Sequence, residues 1–166
     1  MRAYGLYTLA CAGKPQRSAM NLMRENISKI PSNAAWMLAA AFATDGKQSV
    51  AQGLTESLPY AGPTAEDFRE CYGSEDRNKA VALMTSLLTG DKTKAFKLAS
   101  EIASSLSDKE HFMSTQSTAW SLCAMSSYAS AMSPGTLDGT VECDGKTYEL
   151  ISNKRIIRQP VPIKHS

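Results

Sequence analysis

The chain has 166 residues, 43% of them hydrophobic and 20% charged, with a net charge of +2. That is one globular domain's worth of chain with room for a small appendage, and it excludes a disordered polyelectrolyte. No apolar run is long enough to span a bilayer, and so small a net charge gives no reason to expect a nucleic-acid or membrane partner.

From the N-terminus, Ala3 to Ala12 (AYGLYTLACA) is apolar nearly all round. One basic residue, an apolar stretch and small residues imitate an export signal, but Gly13-Lys-Pro reads as an inter-helix turn. Ala19, Leu22, Met23 and Asn26 then fall at the spacing of one apolar stripe on a polar helix. The same order recurs. Ala34 to Ala43 (AAWMLAAAFA) is apolar on every side, Asp45-Gly-Lys breaks it, and Val50, Ala51, Leu54 and Leu58 form a stripe. A third copy runs from Ala80 to Leu88, turns at Gly90, and continues with Ala95, Leu98, Ala99, Ile102, Ala103 and Leu106. A fourth starts at Thr118 (TAWSLCAMSSYA) and is cut short by Ser133-Pro-Gly. Residues 60–77, rich in glycine, proline and acids, read as an irregular excursion.

The unit is therefore a helical hairpin whose first helix is buried on all sides and whose second shows one face to solvent. One hairpin cannot hide its first helix, so hairpins must stack, in a row or as an α/α toroid with the apolar helices inside. The apolar first helices favour the toroid. Left-handed glycines close each first helix, and Ser32 or Asn33, Ser74, and Ser114 or Thr115 are suited to cap helix starts. The fold expected is mainly α, a partial toroid of about seven helices, with a short C-terminal β-hairpin. Residues 1–133 would form the helical domain and 134–166 a hairpin and linker. In the latter, Asp144-Gly145 between alternating runs is a two-residue hairpin signal, and Ile156-Ile157 would begin a third strand. The tail from 146 carries Lys146, Lys154, Arg155, Arg158 and Lys164 against Glu149 alone, which reads as a solvated strand face.

Chemistry is sparse. His111 near Ser114 and Glu110 is too local for a catalytic trio, and His165 is next to the C-terminus. Glu66-Asp67, Glu70, Glu75-Asp76 and Asp108 with Glu110 could pair as in carbohydrate-cleaving toroid enzymes, but they sit in loops and helix starts, where negative charge favours the helix dipole. Cys11, Cys71, Cys123 and Cys143 are too scattered for metal ligation, and Cys11 and Cys123 are expected in the core. Trp36 and Trp120 occupy equivalent places in two copies, which speaks for repeated packing. No residue is assigned a catalytic, cofactor-binding or metal-binding role, and no cofactor is expected.

Four phrases in order, AYGLYTLACAGKP, CYGSEDRNKAVALMTSLLTGD, MSTQSTAWSLCAMSSYA and GTVECDGKTYELISNKRIIRQP, resemble the thioester domain of bacterial alpha-2-macroglobulins and the start of the β-domain that follows it. The resemblance implies a non-catalytic piece of an endopeptidase-trapping protein of the periplasm or cell envelope, with proteases as partners. The family's thioester joins a cysteine to a glutamine three residues on. Here that place holds Lys14, Ser74, Ser126 and Lys146 in turn, so the motif is absent from this chain. Two other readings are a helical-repeat scaffold that binds a peptide or protein, and a remnant of an α/α-toroid polysaccharide lyase or hydrolase. Open toroid ends would expose apolar faces, to be met by self-association or by occlusion under the C-terminal hairpin.

Overall fold

A computed structural model describes residues 2–56, 58, 74–132, 137–143 and 145–152. The fold is mainly helical, with a short antiparallel β-hairpin, and the chain divides into two compact units, Met1–Ala129 and Ser130–Ser166. The described helices are α1 (Arg2–Cys11), α2 (Arg17–Glu25), α3 (Ser32–Thr44), α4 (Gln48–Glu56), α5 (Glu75–Thr89), α6 (Lys92–Ser107) and α7 (Thr115–Met132). A 3-10 turn, Ile27–Lys29, follows α2.

Three hairpin turns repeat one device. Gly13, Gly46 and Gly90 all take positive φ, at 71°, 76° and 80°. In each, the glycine N–H donates back to the carbonyl three residues earlier, and the next N–H closes onto the carbonyl five residues before it. These bonds satisfy the last carbonyls of α1, α3 and α5. Only glycine holds that conformation without a steric cost to Cβ.

The first helix of each hairpin packs on the next. α3 lies between α1 and α5, and α2, α4 and α6 cover their hairpin partners on the other side. The glycine ends of these inner helices share one end of the unit. The Arg17 guanidinium at the start of α2 clamps Asp45 at the end of α3 through two 2.8 Å bonds. Gln48 and Gln52 of α4 donate to the Leu88 and Thr89 carbonyls at the end of α5, at 2.8 and 3.0 Å. α1, α3 and α5 therefore run in the same direction.

Two cores result. One joins Leu6, Ala10, Met20, Leu38, Phe42 and Ala51. The other joins Trp36, Leu83, Leu98, Ile102 and Ala124, with Trp120, Met125 and Tyr128 packed against it. Alanines at 39, 41, 80, 82, 95 and 124 are almost fully buried and let the helix axes approach closely.

The sequence stripes hold for α4 and α6, where Ala51, Ala95, Leu98 and Ile102 are buried. In α2 the phase differs. Met20 is buried and Leu22 is exposed, because Met20, Met23 and Ile27 form the stripe that faces α1 and α3. α1 is not enclosed on all sides. It buries Ala3, Leu6 and Ala10 and exposes Tyr4 and Leu9. α7 likewise buries Ser117, Ser121 and Ala124 while Leu122 is exposed. α1 and α7 have neighbours on fewer sides than α3 and α5, so their uniform apolar character overstates their burial.

Among the caps, Ser74 Oγ accepts from Arg77 N at 3.1 Å and Ser114 Oγ from Ser117 N at 3.1 Å. Asp91 does the same for Lys94 N, at 2.9 Å. Ser32 is instead the first residue of α3, behind Pro31, and no side-chain cap forms there. The excursion expected over 60–77 ends earlier, since α5 begins at Glu75; its residues 60–73 lie outside the described set.

In the second unit, β1 (Leu137–Cys143) pairs with β2 (Lys146–Ser152), Val141 opposite Tyr148 and Cys143 opposite Lys146. Gly145 has φ 69°, as the tight turn demands. Gly139, Val141, Cys143, Lys146, Tyr148 and Leu150 fall on one face by strand alternation, and Asp138, Thr140, Glu142, Thr147, Glu149 and Ile151 on the other. The first face is the more apolar, though Lys146 and Ile151 break the pattern. The strand expected from Ile156 lies outside the described residues.

Candidate functional site

A concave feature of the first unit lies where α6 passes into α7. Leu106, Asp108, Lys109, Glu110, His111 and Phe112 line an open groove of about 530 Å³ together with Ser105, Met113 and Thr118. α6 ends at Ser107, and the Asp108 carboxylate then accepts the Glu110 N–H at 3.0 Å, an Asx-type turn that reverses the chain. Phe112 projects from the rim at 90% exposure. A serine chain anchors the far end: Ser117 Oγ, fully buried, meets both Ser114 Oγ and Ser74 Oγ, which ties the first turn of α7 to the cap of α5.

His111 does not face Ser114. Its Nε2 lies 3.0 Å from Asp76 Oδ2, on the first turn of α5. Ser114 spends its hydroxyl on the cap of α7. The Ser–His–Glu trio is therefore not assembled, because helix capping and the α5 contact pull its members apart. The carboxylates are likewise occupied separately. Glu75 binds Lys79 at 2.8 Å, Lys79 reaches on to Glu101 at 3.3 Å, Asp76 holds His111, and Asp108 serves its own turn. Glu66, Asp67, Glu70, Cys71 and His165 lie outside the described residues. Among the described residues, no three His, Cys, Asp or Glu side chains are grouped to hold a metal ion.

Cys11 and Cys123 are free and exposed, against the expectation that both are core residues. Each lies on an outward side of α1 or α7. Cys11 touches Tyr7, whose phenol is pushed up to about 12, chiefly by burial and then by the Cys11 thiol.

The two tryptophans share a sequence place but not an environment. Trp36 is buried, with the Lys94 ammonium 5.3 Å from its ring centroid. Lys94 also donates to the Thr55 carbonyl at 3.1 Å and so closes the end of α4. Trp120 lies edge-on to Tyr4, centroids 6.3 Å apart at 77°. Tyr7, Met37, Ala40, Val81, Met84, Thr85 and Trp120 surround a cleft of only about 10 Å³, room for one water at most. This cleft between the inner helices is thus too small for a substrate, while the open groove lies at the α6–α7 loop. No family model, curated protein or solved structure matches the chain.

Proposed function

We propose that this chain is a non-catalytic helical scaffold within an alpha-2-macroglobulin-like endopeptidase trap, and that its hairpins are part of an α/α toroid. The observation that supports the reading is the close packing of same-direction inner helices, where Tyr7, Met84 and Trp120 surround a cleft of only about 10 Å³. The four sequence phrases point the same way. In this role the α5–α7 polar contacts are fasteners, and the reactive chemistry of the trap lies outside the chain, which has no Cys–x–x–Gln. The parent protein would work in the periplasm or cell envelope. The exposed sides of α1 and α7, with Tyr4, Leu9 and Leu122, would take further helices of the toroid or, in the isolated chain, another copy.

The test is to recover the polypeptide that carries this sequence from its own cells under native conditions. A protein far larger than 17.9 kDa is expected. Treated with an endopeptidase, it should retain the enzyme in a form that cleaves small peptides but not protein substrates. A free 166-residue chain that leaves proteolysis of protein substrates unchanged would overturn the reading.

A second reading is a peptide-binding module. The exposed Phe112 on the rim of the α6–α7 groove favours it. Titration of the chain with a peptide library, read with and without Phe112→Ala, separates the two.

A further inference from the structure

We propose that the Phe112–Met113 peptide bond is a cleavage site for an endopeptidase of aromatic specificity, and that the cut leaves its two fragments bound to each other. Nine large apolar side chains are exposed among the described residues, and eight of them stand on a helix or a strand. Phe112 is the exception and also the most exposed, at 90%. It lies between the end of α6 at Ser107 and the start of α7 at Thr115, in backbone that is neither helix nor strand.

An endopeptidase takes its substrate as an extended strand, with main-chain hydrogen bonds along it and the side chain before the scissile bond held in a pocket. A residue inside a helix cannot be presented in that way until the helix opens. Phe96 of α6 and Tyr4 of α1 are exposed but held in that state. Around Phe112 there is no helix to open. Among the described residues, the Phe112 and Met113 N–H groups form no hydrogen bond. Lys109, Glu110 and His111 are exposed as well. The ties nearest the bond are the His111–Asp76 contact at 3.0 Å on one side and the Ser114 cap of α7 on the other. The Phe112 ring suits a hydrophobic pocket of the chymotrypsin kind. Hydrolysis adds one water across the C–N bond, leaving a carboxylate on Phe112 and an ammonium on Met113.

The cut spares what holds α7. Trp120, Ala124, Met125 and Tyr128 share one core with Leu83 of α5 and Ile102 of α6. Ser117 meets Ser74 at the cap of α5. These contacts do not pass through the loop, so α7 stays seated on α5 and α6 when the chain between them is severed. The property belongs to the chain as a substrate and stands whether or not the chain is part of a protease trap.

The full chain treated with a low proportion of chymotrypsin tests both parts, with intact masses read at early times. Cleavage after Phe112 should outrun cleavage after Phe96 and after Tyr4 by at least about tenfold, each rate divided by that of a short peptide of the same sequence. Phe112→Ala should remove the cut and leave the melting temperature nearly unchanged. In native buffer, the fragment that begins at Met113 should co-elute on size exclusion with the fragment that ends at Phe112, and the two should separate in denaturant. Equal normalised rates at Phe112 and Phe96 overturn the site, as does a cut at the same bond that survives Phe112→Ala. Fragments that part in native buffer overturn the claim that α7 is held without the loop.

Discussion

The Tyr4 ring meets the Trp120 ring edge to face, 6.3 Å between centroids, and so links the first helix of the chain to the last. The contact is one of side chains, since α1 and α7 do not share the close backbone packing that α1 makes with α3. Trp120 also roofs the small cleft over Tyr7, Met37 and Met84. Trp120→Ala should therefore cost about 2 to 3 kcal/mol, somewhat under the value for a wholly buried tryptophan. Tyr4→Ala, at an exposed ring, should cost about 1 kcal/mol or less. A double-mutant cycle by urea denaturation should return a coupling of about 0.5 to 1.5 kcal/mol. Strict additivity would mean that the ring pair does not hold α1 to α7.

The repeated glycine turns predict effects of opposite sign for one substitution. Gly90 has φ 80° at the end of α5, and an alanine there must hold a left-handed backbone. Gly90→Ala should destabilise by about 1 to 2 kcal/mol. Gly53 lies inside α4, where an added Cβ meets nothing within 4 Å. Gly53→Ala should stabilise by about 0.5 to 1 kcal/mol. Thermal melts of the two variants side by side decide the matter. Equal shifts of the same sign would contradict the assignment of φ.

These turns were also the most legible part of the sequence, for a physical reason. A glycine closing a helix acts within six residues, so Gly13, Gly46 and Gly90 announce themselves locally. The phase of α2 was less so. Leu22 and Met20 each belong to a plausible stripe, and only the positions of α1 and α3 decide that Met20 goes inward. Cys11 and Cys123 misled because a helix apolar on every side does not say which sides have neighbours. The His111–Asp76 contact was not legible at all. It depends on how α7 returns to the start of α5, and nothing within the loop encodes that.

Tyr7 carries a pH signature of its own. Burial, with Cys11 adding to it, lifts its phenol from about 10 to about 12. A phenol whose folded value is raised favours the folded state below its unfolded value. That contribution is complete below about pH 10 and disappears as pH climbs to about 12. Wild type and Tyr7→Phe should accordingly have urea midpoints that differ by a constant amount up to about pH 10 and then diverge, the wild type losing more. Absorbance at the phenolate band should show a late ionisation that Tyr7→Phe removes. If Tyr7→Phe removes no late ionisation, the Tyr7 phenol is not shielded as described.

Leu122 is 56% exposed on the side of α7 opposite Ser117, Ser121 and Ala124. With Tyr4 and Leu9 of α1, also exposed, it leaves apolar surface on both helices. The isolated chain should self-associate at high concentration, and Leu122→Glu should weaken that association without lowering the melting temperature appreciably. Sedimentation velocity over a concentration series reads this directly. A chain that stays monomeric throughout would show that these side chains do not form a contact surface.

Two serines of α7 separate a useful buried hydroxyl from an idle one. Ser117 Oγ bridges Ser114 and Ser74, whereas the equally buried Ser121 Oγ has no hydrogen-bond partner among the described residues. An unpaired buried hydroxyl has lost its water without recompense, so deleting it removes a cost of about 1 kcal/mol or more and opens little space. Ser121→Ala should therefore be neutral or stabilising by up to about 1 kcal/mol. Ser117→Ala should destabilise by about 1 to 2 kcal/mol, because it breaks the tie between α5 and α7 and leaves Ser74 Oγ with only its bond from Arg77 N. Urea titrations of the two variants give the comparison. A loss at Ser121 as large as that at Ser117 would mean that its hydroxyl is bonded after all, most simply to an internal water.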